Sequence, residues 1–499
     1  MRRLRSLLLG PLLLPAAGCT TVGPDYKLPE AATVNMPAAQ GAFLGANNPA
    51  VAQSPVPGDW WRLYDNPMLD SLIRDALSAN TDIRVAAANL QRAQAIVTET
   101  RSESDVQGRA SASAAREQAS GEQYLLSEQI PVSDIGDVGL GVSYDLDLFG
   151  KLRRATEAAK ADAEATQAAL DLARVNVAGQ VAAAYLEACS SGAELAVAQR
   201  SIALQQTQVA VTQRLVAAGR GTALDLSRAR ALLAQVRASA PLHEAQRKAA
   251  LFRITALMGK PPAEYPPAVA ACTTLPRLHQ PIPVGDGAAL LARRPDVRQA
   301  ERQLASATAR IGIAVSALYP EVSLGFSAGS TGLLSDLGEA QTNRWSLGSL
   351  ISWTFPTSGT RARIRAAGAV ADGALAHFDG VVLNALRETE TSLSAYAQDL
   401  DRNADLRVAR DQARLAQSQA QRLYRAGSRP FLDALDADRT LAQADATLAA
   451  SNGQLAADQA RLFLALGGGW QQAPQPKMVP ATDRSPSLDA KGSNLDRRN

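Results

Sequence analysis

An internal repeat constrains this sequence more than any other feature. The segment RLVAAGRGTALDLSRARALLAQ recurs near the C-terminus as RLYRAGSRPFLDALDADRTLAQ. Gly219 and Gly427 are 208 positions apart (427 − 219), and Asp225 and Asp433 keep the same distance (433 − 225). The same or nearly the same spacing relates Gly259 to Gly467, Tyr144 to Trp353 and Asp82 to Asp296. Because chance similarity does not produce an ordered series of matches, we interpret the chain as one structural unit present twice.

Both copies show the same order of patterns, which sets the predicted domain boundaries. Each pattern runs through a helix (about 66–99 and 285–317), two strand-like segments, a very long helix, a glycine-centred turn and a shorter helix. We place the first copy at 66–260 and the second at 285–468. The Pro-rich segment 261–284 is predicted to be an irregular linker. The segment 469–499, which contains Pro, Ser and charged residues, is predicted to be a mobile C-terminal tail.

The N-terminus has the pattern of a secretory signal peptide. Arg2, Arg3 and Arg5 are followed by the apolar run Leu7–Leu14, which is too short to span a bilayer. Small residues precede Cys19 and resemble a bacterial lipobox, although Ala16 stands where leucine is usual. We therefore predict a lipoprotein signal peptide at 1–18 and a lipidated N-terminal segment at 19–65.

The lipobox resemblance also implies a destination. Thr20, which follows the cysteine, is not the aspartate that favours inner-membrane retention, so outer-membrane sorting is expected. The alternative is an ordinary signal peptide with an incidental cysteine. Beyond Cys19 no uninterrupted run of 18 apolar residues occurs, so the sequence predicts no transmembrane helix.

Four segments alternate between apolar and polar residues, with the period of two that is typical of strands. The alternation is clearest in 139–148, 322–329 and 345–355, and it is weaker in 106–116. Each segment has about the length of a tilted membrane strand, although each one alone also fits a half-buried strand of a soluble sheet. We predict that Tyr144, Leu146, Ile351 and Trp353 face lipid, and that Asp145 and Asp147 face a lumen.

The number of strands has a consequence for assembly. An open sheet edge cannot face lipid, and four strands cannot close a barrel, so closure requires several chains. Two chains would give eight strands and three would give twelve. Only the larger barrel leaves a useful water-filled lumen.

The helical segments are unusually long. Apolar residues make up 46% of the chain but aromatic residues only 4%, a mixture that favours long helices. No proline interrupts the stretch from about 151 to 218, which as a helix would be roughly 100 Å long. Its apolar residues recur at coiled-coil spacing. A rod-like cytoplasmic coiled coil would share this pattern, but the signal peptide and the strands count against it.

Composition and motifs exclude several classes of function. The net charge of +3 gives no reason to expect nucleic-acid binding. The three cysteines and three histidines have no metal-ligand spacing, so we predict no metal site and no cofactor. No GxSxG, HExxH, Walker A or dinucleotide motif occurs, so we predict that the protein is not an enzyme. The sequence leaves open whether Cys189 and Cys272 pair.

Several motifs occur in an order that is similar to one known family. They are Gly23-Pro24-Asp25-Tyr26, Trp60-Trp61 before Asp65-Asn66-Pro67, Leu-Asp-Leu-Phe-Gly-Lys ending at Lys151, and the duplicated A-G-x-x-x-x-L-D turn. Together they resemble the lipidated branch of the TolC/OprM family of outer-membrane factors, over nearly the whole chain from Cys19 to Gly467. The resemblance implies an α+β membrane protein: a homotrimer whose 12-stranded transmembrane β-barrel, with four strands per subunit, continues as an α-helical coiled-coil tunnel in the periplasm.

The resemblance also implies a function and its partners. Channels of this family pass drugs or other small solutes from a periplasmic adaptor and an inner-membrane transporter of the RND type to the exterior of a Gram-negative cell. Their tunnels narrow at the end where the two glycine turns of this chain, at Gly219 and Gly427, would lie. The residues matching the family's gate and constriction positions are Asp225, Tyr424, Arg429, Asp433 and Asp436. Helix capping and ordinary turn chemistry are the alternative explanation for these residues.

Two other functions remain open at this point. The first is the outer-membrane exit of a type I protein secretion system, which would use the same architecture. The second is a non-channel coiled-coil lipoprotein that acts as a scaffold or adhesin, which would have no barrel. The sequence identifies neither the transported substrate nor the cognate transporter.

Overall fold

The computed structural model describes residues 21–471 and residue 474. The predicted signal peptide, Cys19 and nearly all of the predicted tail lie outside the described residues. The helices are α1 (Pro37–Gln40), α2 (Pro67–Ala79), α3 (Thr81–Ser102), α4 (Lys151–Ala217), α5 (Ala223–Leu257), α6 (Pro267–Ala270), α7 (Gly287–Arg293), α8 (Pro295–Ser316), α9 (Ser358–Arg425) and α10 (Phe431–Ala465). The strands are β1 (Val51–Ala52), β2 (Gln107–Glu117), β3 (Ser133–Leu146), β4 (Ile282–Pro283), β5 (Glu321–Leu333) and β6 (Asn343–Ser352).

Two long helical hairpins dominate the fold. Helices α4 and α9 have 67 and 68 residues, and each is followed by a tight turn and a helix of 35 residues, α5 or α10. At a rise of 1.5 Å per residue, α4 and α9 are each roughly 100 Å long. The predicted long helix at about 151–218 is therefore present as α4.

The helix before the strands is broken in each half, where the sequence pattern predicted one continuous helix. The first break is at Asn80, whose side chain accepts hydrogen bonds from the backbone N–H groups of Asp82 and Ile83 and so starts α3 afresh. The second break is at Arg294, which precedes a proline and has extended backbone. The prediction of single helices at 66–99 and 285–317 was wrong at these two positions.

One long helix also departs from the expectation about membrane-spanning helices. Within α9, an 18-residue stretch has a mean hydropathy of 1.2, and 17% of that stretch is buried. By length and composition this stretch could cross a membrane. The whole of α9 has 68 residues, more than three times the length that a bilayer-spanning helix needs.

The four longer strands form one antiparallel sheet in the order β2-β3-β5-β6. The register places Tyr144 opposite Leu324, and Phe326 opposite both Val142 and Leu347, so that apolar side chains share one face. The adjacent residues, such as Asp145 opposite Ser323, lie on the other face. The alternation that the sequence predicted therefore gives an apolar face and a polar face.

Two residues assigned to strands lie outside them. Asp147 follows the end of β3, and its carboxylate accepts hydrogen bonds from the backbone N–H groups of Leu152 (3.1 Å) and Arg153 (3.0 Å). It caps the start of α4, which corrects the prediction that it is a lumen-facing strand residue. Trp353 follows β6, and its indole N–H donates to the carbonyl of Leu318 at 3.0 Å.

The predicted linker is attached to the first helical hairpin by a covalent bond. Cys189 of α4 and Cys272 form a disulfide that joins residues 83 positions apart in sequence. Next to it, a Cβ atom at Gly192 would lie 2.1 Å from the carbonyl oxygen of Cys272, so only glycine allows this approach. The pairing of these cysteines, which the sequence left open, is thereby decided.

The core lies where the first short helices and the linker pack around the middle of the long helices. The ring of Trp60 stacks on that of Phe463 with 4.4 Å between centroids, and both side chains are buried. Leu69, Ile73 and Ile254 are fully buried in the same cluster. Truncation of a buried aromatic such as Trp60 to alanine costs about 3–5 kcal/mol, so this cluster contributes strongly to stability.

Candidate functional site

The two hairpin turns have the same backbone geometry. Gly219 and Gly427 have φ angles of 72° and 71°, in the left-handed region that favours glycine. The backbone N–H of Arg220 donates to the carbonyl of Leu215, and the equivalent bond joins Ser428 to Leu423. Both long helices therefore end in the same hydrogen-bonded cap, which reverses the chain direction within a few residues.

The helix that follows the first turn starts with a reciprocal cap. The hydroxyl of Thr222 accepts a hydrogen bond from the backbone N–H of Asp225 at 3.1 Å. The Asp225 carboxylate in turn accepts from the backbone N–H of Thr222 at 3.2 Å and from its hydroxyl at 2.6 Å. Asp225, predicted as a gate residue, is thus engaged in a capping box.

The helix that follows the second turn lacks this cap. Pro430 stands at the position equivalent to Thr222 and has neither a hydroxyl nor an N–H group. The carboxylate of Asp433 lies instead 3.7 Å from the guanidinium of Arg429, and both side chains are exposed. The two turns therefore share a backbone shape but use their equivalent aspartates differently.

Tyr424 lies between the two hairpins. Its ring is 5.5 Å from that of Phe431, in an edge-to-face arrangement. Both rings belong to a small apolar cluster with Ala229 and Leu232 of α5. Burial, and to a lesser degree the charge of nearby Asp225, raise the pKa of the Tyr424 hydroxyl, so the tyrosine stays neutral. Within one chain, the structure thus brings together Tyr424 and Asp225, two of the predicted gate residues.

Asp436 is paired with a residue that the sequence analysis did not select. Its carboxylate lies 2.7 Å from the guanidinium of Arg439, one helical turn later in α10. Both side chains are exposed. The i, i+3 spacing of opposite charges was the available signal for this pair.

A polar cavity lies above the turns, between α4, α9 and α10. It has a volume of about 460 Å³. Asp438, at its wall, is only 8% exposed and accepts hydrogen bonds from the amides of Gln417 (2.8 Å) and Gln421 (3.0 Å). Burial raises the pKa of the Asp438 carboxyl. The sequence analysis missed these residues because it could not tell which face of each helix is covered.

The arrangement is one of capped turns, ion pairs and polar helix faces. Within the described residues, no group of three or more His, Cys, Asp or Glu side chains is placed to hold a metal ion. The exposed pairs at the hairpin tips contribute little each, because ion pairs at the surface are typically worth less than about 1 kcal/mol. Such contacts can hold a conformation and can be exchanged at small cost.

Comparison with known proteins identifies the relationship. The profile described as "Outer membrane efflux protein" matches residues 72–260 and 288–468. The chain is 30% identical to the pyoverdine export outer membrane protein OpmQ of Pseudomonas putida, over 94% of this chain and 98% of the relative. It is 28% identical to the outer membrane protein OprJ of Pseudomonas aeruginosa, over 92% and 95% of the two chains.

Solved structures agree with this assignment. The outer-membrane channel OprN is 34% identical, with a TM-score of 0.84 over 90% of this chain and 99% of that chain. The MtrE outer membrane channel of Neisseria gonorrhoeae, in its open state, is 25% identical, with a TM-score of 0.77 over 92% and 100%. The predicted family is confirmed, and with it the predicted role as an outer-membrane efflux channel. The chain therefore belongs to the outer membrane efflux protein family.

Proposed function

We propose that three copies of this chain form an outer-membrane channel whose barrel is shared among the subunits and whose helices continue as a tunnel in the periplasm. The observation that carries this proposal is the unfinished sheet. Within the described chain, β2 and β6 each pair on one side only. An unpaired edge cannot face lipid, so the sheet is completed by β2 and β6 of other subunits.

The two faces of the sheet fit a barrel wall. Trp345 and Leu347 of β6 are 76% and 74% exposed on the apolar face, which would meet lipid. On the polar face, Arg344 donates to the carboxylate of Asp137 at 2.6 Å, across β6 and β3, in what would be the lumen. Twelve strands from three subunits give a lumen wide enough for solutes, whereas eight leave little space.

The helical part also presents a surface that needs a neighbour. Val370, Leu383 and Val408 of α9 are more than half exposed, although they are large and apolar. These side chains are spread along the helix and do not form one patch, but all three would be covered if α9 lay against helices of other subunits. We infer that α9 packs against the helical hairpins of adjacent subunits to form the tunnel wall.

The disulfide supports an extracytoplasmic location for the middle of the molecule. Disulfides such as Cys189–Cys272 form and persist in oxidising compartments such as the bacterial periplasm. This agrees with the predicted signal peptide. We propose that the mature chain starts at a lipidated Cys19 and is held in the outer membrane by both lipid and barrel.

Relatives indicate the kind of cargo and the kind of partner. Their names describe pyoverdine export, and toluene efflux by a pump of Pseudomonas putida. We therefore propose that this chain exports small organic solutes together with a periplasmic adaptor and an inner-membrane transporter, and not proteins through a type I secretion system.

The hairpin tips are the proposed gate. We infer that Asp433 from three subunits forms an acidic ring, with Asp436 close to it in α10. Arg429 and Tyr424, with Asp225 in the first hairpin, would hold the closed state. Three carboxylates around a narrow pore would favour cations and impede anions.

One experiment tests the central proposal. The purified protein is run on a denaturing gel with and without heating, and its mass in detergent is measured. We expect a heat-sensitive band and a particle at three times the monomer mass. In planar bilayers the particle should conduct ions. A monomeric particle without conductance would contradict the proposal and favour the scaffold.

A further inference from the structure

The segment Thr21–Tyr26, here called the strap, crosses the junction between the sheet and the long helices. The backbone N–H of Val22 donates to the carbonyl of Phe149 at 3.1 Å. Phe149 lies between β3 and α4, and its ring stacks on Tyr319, which lies between α8 and β5. The strap therefore contacts the place where two strands of the sheet pass into two helices.

A buried cation holds the strap. The side chain of Arg154 is 3% exposed, and its Nε donates to the carbonyl of Val22 at 3.2 Å. Its Nη2 donates to the carbonyl of Gly23 at 3.2 Å and to the carboxylate of Asp25 at 2.7 Å. Glu157, in the same helix, accepts from Nη1 at 2.7 Å, and the strap supplies the remaining partners. A buried charge is costly unless it is fully paired, so the docked strap and Arg154 depend on each other.

Close backbone contact makes the docking site specific. Gly23 has a φ of 85°, and a Cβ atom there would lie 2.4 Å from the Cα of Gly312 in α8. A Cβ at Gly312 would lie 2.8 Å from the Cγ of Arg154. At the end of the strap, the Tyr26 hydroxyl donates to Glu301 at 2.6 Å. The strap is thus fixed by backbone shape at one end and by a side-chain hydrogen bond at the other.

We propose that Arg154 is the positioning residue through which the N-terminal lipid acts on the channel. Only Thr20 separates Cys19 from the strap, a chain length of about 7 Å between Cys19 and Thr21. A lipid on Cys19 therefore fixes the height of the strap in the membrane, and the strap fixes the barrel–helix junction. This inference rests on the proposed lipid anchor and trimeric barrel. It adds the contact through which the lipid anchor affects assembly of the barrel.

A double-variant comparison tests whether the lipid on Cys19 acts through Arg154. The amount of heat-stable trimer in outer membranes is measured for wild type, Cys19→Ser, Arg154→Met and the double variant. We expect each single change to lower the amount of trimer several-fold. The double variant should contain as much trimer as whichever single variant contains less. If the two reductions multiply, the lipid and Arg154 act independently and the inference is overturned.

A matched control removes a different arginine at the same helix pair. Arg310 of α8 donates to Asp162 of α4 at 2.7 Å, and both side chains are exposed. Arg310→Met should leave the trimer near the wild-type amount. It should also leave the effect of Cys19→Ser unchanged. A loss as large as that of Arg154→Met would show that removing any paired arginine near the α4–α8 contact has this effect, and it would overturn the special role of Arg154.

A labelling experiment reports on the strap itself, even where assembly is impaired. Val22→Cys is labelled with a bulky maleimide in purified trimers, in which Cys189 and Cys272 are bonded to each other. Adding Arg154→Met should raise the labelling rate about tenfold or more, as expected from the loss of hydrogen bonds to a charged group, and Asp25→Asn should raise it less. Slow labelling in both variants would overturn the inference.

The outcomes separate this inference from the proposed function. If the wild type forms no trimer, the proposed channel fails, and the strap inference fails with it. If trimers form and conduct but Cys19→Ser keeps the full amount of trimer, the channel stands and the strap inference is overturned.

Discussion

The guanidinium of Arg429 lies 3.7 Å from the carboxylate of Asp433, four residues later in the chain. In the first hairpin the equivalent carboxylate, Asp225, is occupied by the hydroxyl and the backbone of Thr222. Since Pro430 replaces that threonine, Asp433 is available for an arginine. One hairpin therefore has a capped start, whereas the other is held by an exposed ion pair that can be exchanged.

The first prediction concerns this ion pair. Arg429→Ser should raise single-channel conductance or open probability in planar bilayers, because it removes a contact worth up to about 1 kcal/mol in each of three subunits. Together the three contacts correspond to a change of up to about a hundredfold in the closed-to-open ratio. Arg414→Ser, an exposed change on α9 away from the turn, is the control and should leave conductance unchanged.

The second prediction concerns the proposed acidic ring. Asp433→Asn combined with Asp436→Asn should weaken cation selectivity and block by multivalent cations, because the pore loses its carboxylates. Reversal potentials in a salt gradient measure the selectivity. Full cation selectivity in this variant would place the constriction elsewhere and leave both turns as plain helix caps.

The third prediction tests which face of the sheet meets lipid. Leu347 and Ser346 are neighbours in β6 and lie on opposite faces. Leu347→Arg should lower the amount of folded trimer, because an arginine near the membrane midplane costs roughly 2–4 kcal/mol. Ser346→Arg should form trimers and change ion selectivity. An equal loss of trimer from both changes would show that the assignment of the faces is wrong.

The fourth prediction concerns the disulfide. Cys272→Ser should destabilise the folded chain by about 2–4 kcal/mol, because the bond closes a long loop between α4 and the linker. Thermal melting of the helices, followed by circular dichroism, measures the effect. Reductant should lower the melting temperature of the wild type towards that of the variant and leave the variant unchanged. A wild type that is insensitive to reductant under unfolding conditions would contradict the pairing.

The fifth prediction is a pH dependence. Asp458 of α10 is 1% exposed. Burial, reinforced by the neighbouring Asp399 carboxylate, raises the pKa of the Asp458 carboxyl to about 6, although the guanidinium of Arg461 at 2.8 Å opposes the shift. The folded state therefore holds this proton more tightly than the unfolded state, whose pKa is near 3.8. The contribution of protonated Asp458 to the free energy of unfolding is complete below about pH 4, and it is lost as the pH rises through about 6.

Asp458→Asn tests that dependence, because asparagine resembles the protonated acid in shape. At pH 7.5 the variant should be more stable than the wild type by about 1–2 kcal/mol, and at pH 4 the two should melt together. Asp411→Asn removes an exposed carboxylate from α9 and serves as the control. A wild-type advantage at pH 7.5 would show that the charged form of Asp458 is stabilising, contrary to this assignment.

Local patterns predicted most of the architecture. The absence of proline between 151 and 218 predicted α4, and period-two alternation predicted the faces of the sheet. The break at Asn80 was missed because a cap inside an otherwise periodic segment does not change its apolar spacing. The break at Arg294 had a signal in the sequence, the proline that follows it, which the periodic pattern outweighed. Only the three-dimensional structure shows that the side chain of Asn80 accepts hydrogen bonds from the backbone of the residues that follow it.

Features that depend on packing could not be predicted. Aspartate usually lies at the protein surface, yet Asp438 and Asp458 are both buried. Their burial depends on which helices pack against α10, and one sequence does not give this. The same holds for Arg154, whose neighbours on the strap precede it by about 130 residues.

The unpaired edges of β2 and β6 have a consequence for biogenesis. A newly secreted subunit must cross the aqueous periplasm with two open sheet edges and an apolar face exposed, which invites pairing with the wrong chains. In the proposed trimer, these edges stay open until two other subunits arrive, so a chaperone that covers them would be needed. Closure of that trimer requires three subunits at once. The yield of channels should therefore fall more steeply than the rate of synthesis when expression is lowered.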